Sequence, residues 1–274
     1  MHPYELHAVK PGSVVDLSAI DPGRTPGLSG PEEQERAAAA ALHAENILAM
    51  QMLQYRLWAE SKRSVLVVLQ GMDTAGKDGT IRHAFGPLNP QGVRVHGFKQ
   101  PTPEELAHDY LWRIHSKTPA RGRIVVFNRS HYEDVLVVRV HGLVPEEVWR
   151  RRYEEINAFE RLLSGSGTTI LKVFLHISKD EQKQRLQARL DEPEKLWKFS
   201  KGDLAERARW SDYQEAYTDA LSRCSTENAP WFVVPADSKW YRNWAVSSIV
   251  RRALEGMDPR PPKSEIDPSK IHID

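Results

Sequence analysis

Residues 65–79 constrain this chain more than any other stretch. Val65 to Leu69 is an unbroken apolar run, and it empties into Gln70-Gly71-Met72-Asp73-Thr74-Ala75-Gly76-Lys77-Asp78-Gly79. An aliphatic strand, then Gly-x-x-x-x-Gly-Lys, then a helix-forming segment is the context of a phosphate-binding loop. Gly71 and Gly76 let the backbone turn tightly, so that successive N–H groups face one centre and the following helix adds its positive end. Lys77 supplies a point charge to the outer phosphates. In the ordinary loop a Ser or Thr follows the lysine and its hydroxyl holds Mg²⁺; here that residue is Asp78. Asp73, inside the loop, is a hard oxygen donor suited to that ion and is expected to be the principal metal ligand. Met72, Thr74, Ala75, Asp78 and Gly79 complete the expected phosphate site.

Around this loop the chain alternates. Strands are expected at 64–70, 92–98, 123–127, 169–177 and 230–235. Helices are expected at 77–85, 103–116, 131–140, 145–164, 178–190, 203–224 and 240–255. Apolar strands separated by helices predict an α/β fold, a parallel sheet covered on both faces. Residues 1–30, rich in Pro and Gly, read as an N-terminal arm. Ser29-Gly30-Pro31-Glu32 reads as a helix start with Ser29 as the cap. The Ala-rich helix 32–61 carries Leu42, Ile47, Leu48, Met50, Met52, Leu53, Leu57 and Trp58 for packing on the main domain or on a partner chain. Residues 31–256 form the main domain, and 257–274 a Pro-rich tail.

A second strand, Ile124 to Phe127, ends in Asn128-Arg129-Ser130-His131-Tyr132-Glu133-Asp134. Ligands of open α/β sheets bind outside the carboxyl ends of strands, so this segment and the loop at 71–77 are expected to share one crevice. Arg129 suits a transferred phosphoryl group. Glu133 and Asp134 add carboxylates. Asn128 stands where a metal-binding Asp is usual, and offers a carbonyl oxygen without charge, a weak metal ligand.

Ser178-Lys179-Asp180-Glu181 opens a further helix with a capping box. Arg185 and Arg189, four apart, share one of its faces, while Leu186 and Leu190 are expected to face the sheet. Lys195, Lys198 and Lys201 follow in an irregular segment, then Arg207 and Arg209. Residues 185–209 read as a cationic lid that closes over anions and excludes water. Trp197 and Phe199 are candidates to anchor it. Lys99 stands at a strand end on the ligand side, whereas Arg121 and Arg123 precede a strand at the opposite edge. His108, His115, His131 and His141 lack metal-ligand spacing and read as structural.

The balance of 38 Lys and Arg against 37 Asp and Glu argues against a nucleic-acid-coating protein. Cys224, the only cysteine, excludes a disulfide framework and a cysteine zinc site. No apolar run is long enough to span a membrane, and the start lacks a secretory pattern, so a cytoplasmic protein is expected. Three readings fit these residues: a phosphotransferase using a phosphate-chain donor, an ATP-dependent nucleoside or nucleotide kinase, and a nucleotide sensor without turnover. The clustered arginines favour an enzyme.

The motif set Gly71-Met72-Asp73-Thr74-Ala75-Gly76-Lys77-Asp78-Gly79, Asn128 to Asp134, and Lys195-Leu196-Trp197-Lys198-Phe199 resembles the polyphosphate kinase 2 family, over roughly residues 30–260. The resemblance implies a three-layer, thymidylate-kinase-like P-loop kinase fold with a helical lid. It implies reversible transfer of the terminal phosphoryl of inorganic polyphosphate to nucleotides, with Mg²⁺ or Mn²⁺. Many members have Asp-Arg-Ser-Trp-Tyr at the second motif; Asn128-Arg129-Ser130-His131-Tyr132-Glu133 resembles the subgroup that phosphorylates both AMP and ADP. Taken together, the residues and the resemblance make Asp73, Lys77, Arg129, Arg189 and Glu133 the expected catalytic set, with Arg185, Lys195, Lys198 and Lys99 expected on the phosphates. ATP and guanosine nucleotides are further expected ligands, and a homodimer or homotetramer the expected assembly.

Overall fold

The computed structural model describes residues 1–266 and 270–273; of the expected tail, residues 267–269 and 274 lie outside the described residues. The chain runs α1 (Pro3–His7), α2 (Glu32–Glu60), β1 (Ser64–Gln70), α3 (Lys77–Thr80), β2 (Val93–Gly97), α4 (Pro103–Leu106), α5 (Trp112–His115), β3 (Ile124–Asn128), α6 (Val137–Val140), α7 (Glu146–Gly165), β4 (Thr168–His176), α8 (Lys179–Asp191), α9 (Lys201–Ala208), α10 (Trp210–Cys224), β5 (Trp231–Pro235) and α11 (Lys239–Met257). The five strands form one sheet in the order β2-β3-β1-β4-β5, and every pair is parallel. β1 is buried at all seven positions. Successive residues of a strand point to opposite faces, so a wholly buried strand means cover on both sides. α2 and α11 pack together, and α11 also meets α1, α3 and β5; α7 packs with α10, α6 and β4.

The expected strands are all present, within a residue or so at each end. Several helices are shorter than the periodicity suggests. α3 passes into a π-helical turn, Ile81–Phe85. The expected helix 103–116 is the two turns α4 and α5, interrupted at 107–111. The segment 131–140 is a 3₁₀ turn, His131–Asp134, followed by α6. The expected 203–224 helix is α9 and α10, broken at Arg209.

Ser29 does not cap α2. Its N-cap is Pro31, in extended geometry with no side-chain cap, and the Pro31 carbonyl accepts from the Gln34 and Glu35 amides. Ser29 lies too far upstream to reach them. The N-terminal arm is folded onto the domain: Val9 and Leu17 are buried, the Val9 amide donates to the Trp231 carbonyl at 2.8 Å, and Ala8 bridges Phe232 in antiparallel fashion. On α2, Met50, Leu53 and Leu57 are in the core, whereas Leu48, Met52 and Tyr55 stand exposed.

Candidate active site

β1 and β3 are neighbours, so their carboxyl ends bring Gly71–Lys77 and Asn128–Asp134 together at one edge. Gly71 adopts φ 154° and Gly76 φ 103°. A methyl group at Gly71 would lie 2.8 Å from the Leu175 carbonyl oxygen, and one at Gly76 1.8 Å from Nη1 of Arg242. Only glycine fits either place. Two non-glycine residues here are also left-handed, Thr74 at φ 65° and Arg129 at φ 63°. Such backbone stores on the order of 1–3 kcal/mol each and clusters at functional sites.

The Lys77 ammonium curls back into the loop and donates to the carbonyls of Gly71 (2.6 Å) and Met72 (3.2 Å). Burial pushes its pKa down, and Arg129 pushes the same way. Arg129 reaches across from β3, with Nη2 2.8 Å from Oδ1 of Asp73. Burial opposes its charge, but Glu133 and Asp73 outweigh burial and hold the guanidinium above its usual range. Asn128 donates through Nδ2 to Oδ1 of Asp78 at 2.7 Å. That bond fixes the amide, because only its nitrogen can donate to a carboxylate, and it leaves the carbonyl oxygen as the free donor atom for a cation. Glu133 is held by Nε2 of Gln70 at 3.0 Å. The Thr74 hydroxyl is buried with no hydrogen-bond partner among the described residues.

A cleft of about 600 Å³ opens from this edge. Gly71, Met72, Asp73, Arg129 and Glu133 line it at the strand ends. Lys99 and Arg113 stand on one flank, and Phe98, Pro101, Leu106, Val137, Val138 and Val144 supply apolar wall. Arg113 donates to the Lys99 carbonyl at 2.8 Å, which ties the end of β2 to α5. Asp134 is buried beside Arg152, at 3.3 Å; burial raises its pKa to about 6 against the pull of Arg152 and Arg113.

The lid residues divide. Arg185 is built into the frame: it donates to the carbonyls of Thr74, Ala75, Ala236 and Asp237 and pairs with Glu181. It thereby ties α8, the phosphate loop and the turn after β5 together. Arg189 pairs with Asp203 at 3.0 Å and donates to the Lys198 carbonyl. Lys195 pairs with Glu192, and the Lys198 ammonium lies 5.1 Å from the centre of the Trp197 ring. Arg189, Lys195 and Lys198 are thus bonded within the lid and do not line the cleft. Leu186 is buried as expected, but Leu190, in the last turn of α8, is 44% exposed. Trp197 is 78% exposed rather than packed into the core.

Three residues that sequence reasoning did not assign belong to the site. Gln70 orients Glu133, Gln182 donates to the Asp73 carbonyl at 3.1 Å, and Arg242 lies against the loop from α11. Gln70 had a signal, a polar side chain ending the apolar run Val65 to Leu69; Gln182 and Arg242 sit in ordinary helical pattern and had none. His131 is structural, as its spacing suggests: it is fully buried with Nε2 3.1 Å from Glu160. Among the described residues no three His, Cys, Asp or Glu side chains gather as a ready-made metal cage.

The polyphosphate kinase 2 (PPK2) family model matches residues 32–262. The chain is 53% identical over 268 residues to an AMP/ADP-polyphosphate phosphotransferase of Meiothermus ruber, covering 98% of this chain and 99% of that one. It is 44% identical over 250 residues to an ADP-polyphosphate phosphotransferase of Rhodopseudomonas palustris, covering 87% and 86%. The crystal structure of polyphosphate kinase 2 from Arthrobacter aurescens TC1 superposes with a TM-score of 0.92 at 49% identity, over 97% of this chain and 94% of that one. With its parallel sheet, its phosphate loop and these likenesses, the chain has the P-loop kinase fold and belongs to the polyphosphate kinase 2 family.

Proposed function

We propose that this protein transfers the terminal phosphoryl group of inorganic polyphosphate to ADP and AMP, yielding ATP and ADP, and that the reaction is reversible. The observation that carries the reading is the pairing of a loop carboxylate, Asp73, with Arg129 from the neighbouring strand end. It sets an anionic metal-binding group and a phosphoryl-binding cation side by side, over the mouth of a cleft with room for a nucleotide. The names of the relatives from Meiothermus ruber and Rhodopseudomonas palustris support the same donor and acceptors.

Phosphoryl transfer asks little covalent chemistry of the protein; it asks for alignment and neutralised charge. The loop amides and Lys77 hold the donor end. Lys77 now bonds only two carbonyl oxygens, and an incoming phosphate offers it a stronger, charged acceptor. Arg129 stabilises the oxygens of the phosphoryl group in flight. The acceptor is already an anionic phosphate oxygen, so no general base is needed. Glu133, fixed by Gln70, is the group that adapts the site to a monophosphate acceptor. Arg189 reaches the phosphates on closure of the lid, releasing Asp203, and Lys195 and Lys198 accompany it.

Mg²⁺ fits the donor set. Asp73 keeps one oxygen beyond its bond to Arg129, and Asn128 keeps its carbonyl oxygen. A site with one carboxylate, one amide oxygen and substrate phosphates, rather than an all-protein cage, is the usual environment of this ion; Mn²⁺ suits the same oxygens. When bound, the ion supplies charge neutralisation between the reacting phosphates. Guanosine nucleotides belong to the same proposal, supported by a cleft wall that is apolar. Assembly as a homodimer or homotetramer, through the exposed Leu48, Met52 and Tyr55 of α2, belongs to the same proposal. So does a cytoplasmic location; no helix among the described residues is long and apolar enough to cross a membrane.

The test is direct. With Mg²⁺ and long-chain polyphosphate as sole donor, ADP should yield ATP and AMP should yield ADP. No product from either acceptor would overturn the proposal. Turnover with ATP but not polyphosphate would mark an ATP-dependent nucleotide kinase instead.

A further inference from the structure

Arg242 lies on the last helix, far in sequence from every motif, yet its guanidinium is pressed against the phosphate loop. It is 3% exposed. Its Nη1 occupies the space of a missing methyl at Gly76, at 1.8 Å, and its Nη2 lies 3.0 Å from where one would stand at Gly79. Both glycines of Gly76-Lys77-Asp78-Gly79 therefore make room for this one side chain.

The guanidinium is poorly matched. Five N–H donors find the Asn243 amide oxygen, at 2.9 and 3.3 Å, and the Ala75 carbonyl at a long 3.5 Å. No carboxylate among the described residues forms an ion pair with it. Its charged neighbour is another cation, Arg185, which is neutralised by Glu181. Burial and then Arg185 lower its pKa to about 10, which leaves it charged at neutral pH. A buried cation without an acid partner weakens the folded state. A bound polyanion would supply the missing counter-charge.

We propose that Arg242 is a positioning residue for the polyphosphate donor: seated behind Gly76 and Gly79, it shapes the phosphate loop and places an uncompensated positive charge beneath its bound phosphates. The proposal rests on the reading of this loop as the polyphosphate site. It predicts opposite signs for stability and function. In Arg242→Met an apolar side chain of similar length replaces an unpaired buried charge, so the thermal midpoint without substrate should hold or rise. The KM for polyphosphate should rise on the order of tenfold as one charge near the anion is lost. The KM for ADP should stay within about twofold, and Arg242→Lys should recover most of the loss.

Should the methionine variant fail to fold, Arg242→Gln gives the same information, because it keeps hydrogen-bonding capacity beside Asn243 while removing the charge. The KM for polyphosphate should again rise on the order of tenfold with that for ADP within about twofold. Calorimetric titration with polyphosphate alone separates polyphosphate binding by the loop from the contribution of Arg242. Wild-type protein that binds no polyphosphate overturns the functional reading and this one with it. Wild type that binds, with variants that bind equally well, overturns the role of Arg242 alone. A lower thermal midpoint with both KM values changed alike would show that Arg242 is only structural.

Discussion

Glu160→Gln should destabilise this protein by about 3–5 kcal/mol, the usual consequence of leaving a buried charge without its partner. Lys172 sits in the middle of β4, fully buried, and Glu160 on α7 is 1% exposed. The lysine ammonium spends its three hydrogens on Oε2 of Glu160 (2.5 Å), the Cys224 carbonyl (2.5 Å) and the Tyr132 hydroxyl (2.9 Å). The other carboxylate oxygen accepts from the Tyr132 hydroxyl at 2.9 Å and meets Nε2 of His131 at 3.1 Å. Burial opposes the charge of Glu160, but Lys172 and His131 outweigh it and keep its pKa low. Glutamine keeps the shape and one acceptor for the lysine, but removes the negative charge. Paired with Lys172→Met, the same change removes both charges, so most of the loss should return, giving a coupling of about 3 kcal/mol. Urea unfolding of wild type, both single variants and the double variant measures it. A loss below about 1 kcal/mol in Glu160→Gln, or simple additivity, would refute the reasoning. His131 and Tyr132 lie between Arg129 and Glu133 in sequence, so the network also fixes the second strand end, and kcat should fall with stability in the single variant.

Two further outcomes follow from the site. Glu133→Ala should lose phosphorylation of AMP by on the order of tenfold or more, with ADP largely spared; steady-state rates with each acceptor test this, and equal loss would make the role of Glu133 general. Asp134 holds its proton more tightly folded (pKa about 6) than its ordinary 3.8. Its contribution to stability is therefore highest below about pH 4 and falls as pH rises towards 6, by on the order of 3 kcal/mol. Urea unfolding from pH 4 to 7 should show that decline in wild type and a flatter profile in Asp134→Asn; parallel profiles would contradict the assignment.

The sheet was legible because β1, β3, β4 and β5 are buried along most of their length and read as apolar runs, while the half-exposed edge strand β2 still shows Val93 and Val95 in alternation. The convergence of Asp73, Lys77, Asn128 and Arg129 was legible too: they lie at or just beyond the carboxyl ends of β1 and β3, which pair side by side. The helix breaks at 107–111 and Arg209 were not, since short helical turns carry the same periodicity as a continuous helix. Nor was the division of labour among the lid cations. Arg185 and Arg189 are equivalent in spacing, yet one meets four backbone carbonyls and the other an aspartate fourteen residues on, and only tertiary packing decides which. Arg242 was invisible because its significance lies in the space left by Gly76 and Gly79. Lys172 shows the converse: a lysine in an apolar strand demands a buried partner, but sequence does not say that it is Glu160.

On the proposed function, the Asp73 carboxylate takes the place of the missing hydroxyl as the metal-binding group and orients Arg129. ATP formation from ADP and polyphosphate, with saturating Mg²⁺, in wild type and Asp73→Asn tests it most directly. Asparagine preserves the size of the side chain but removes its charge, so turnover should fall on the order of 10³-fold or more while the fold remains intact by circular dichroism. A folded Asp73→Asn protein within about tenfold of the wild-type rate would contradict the account.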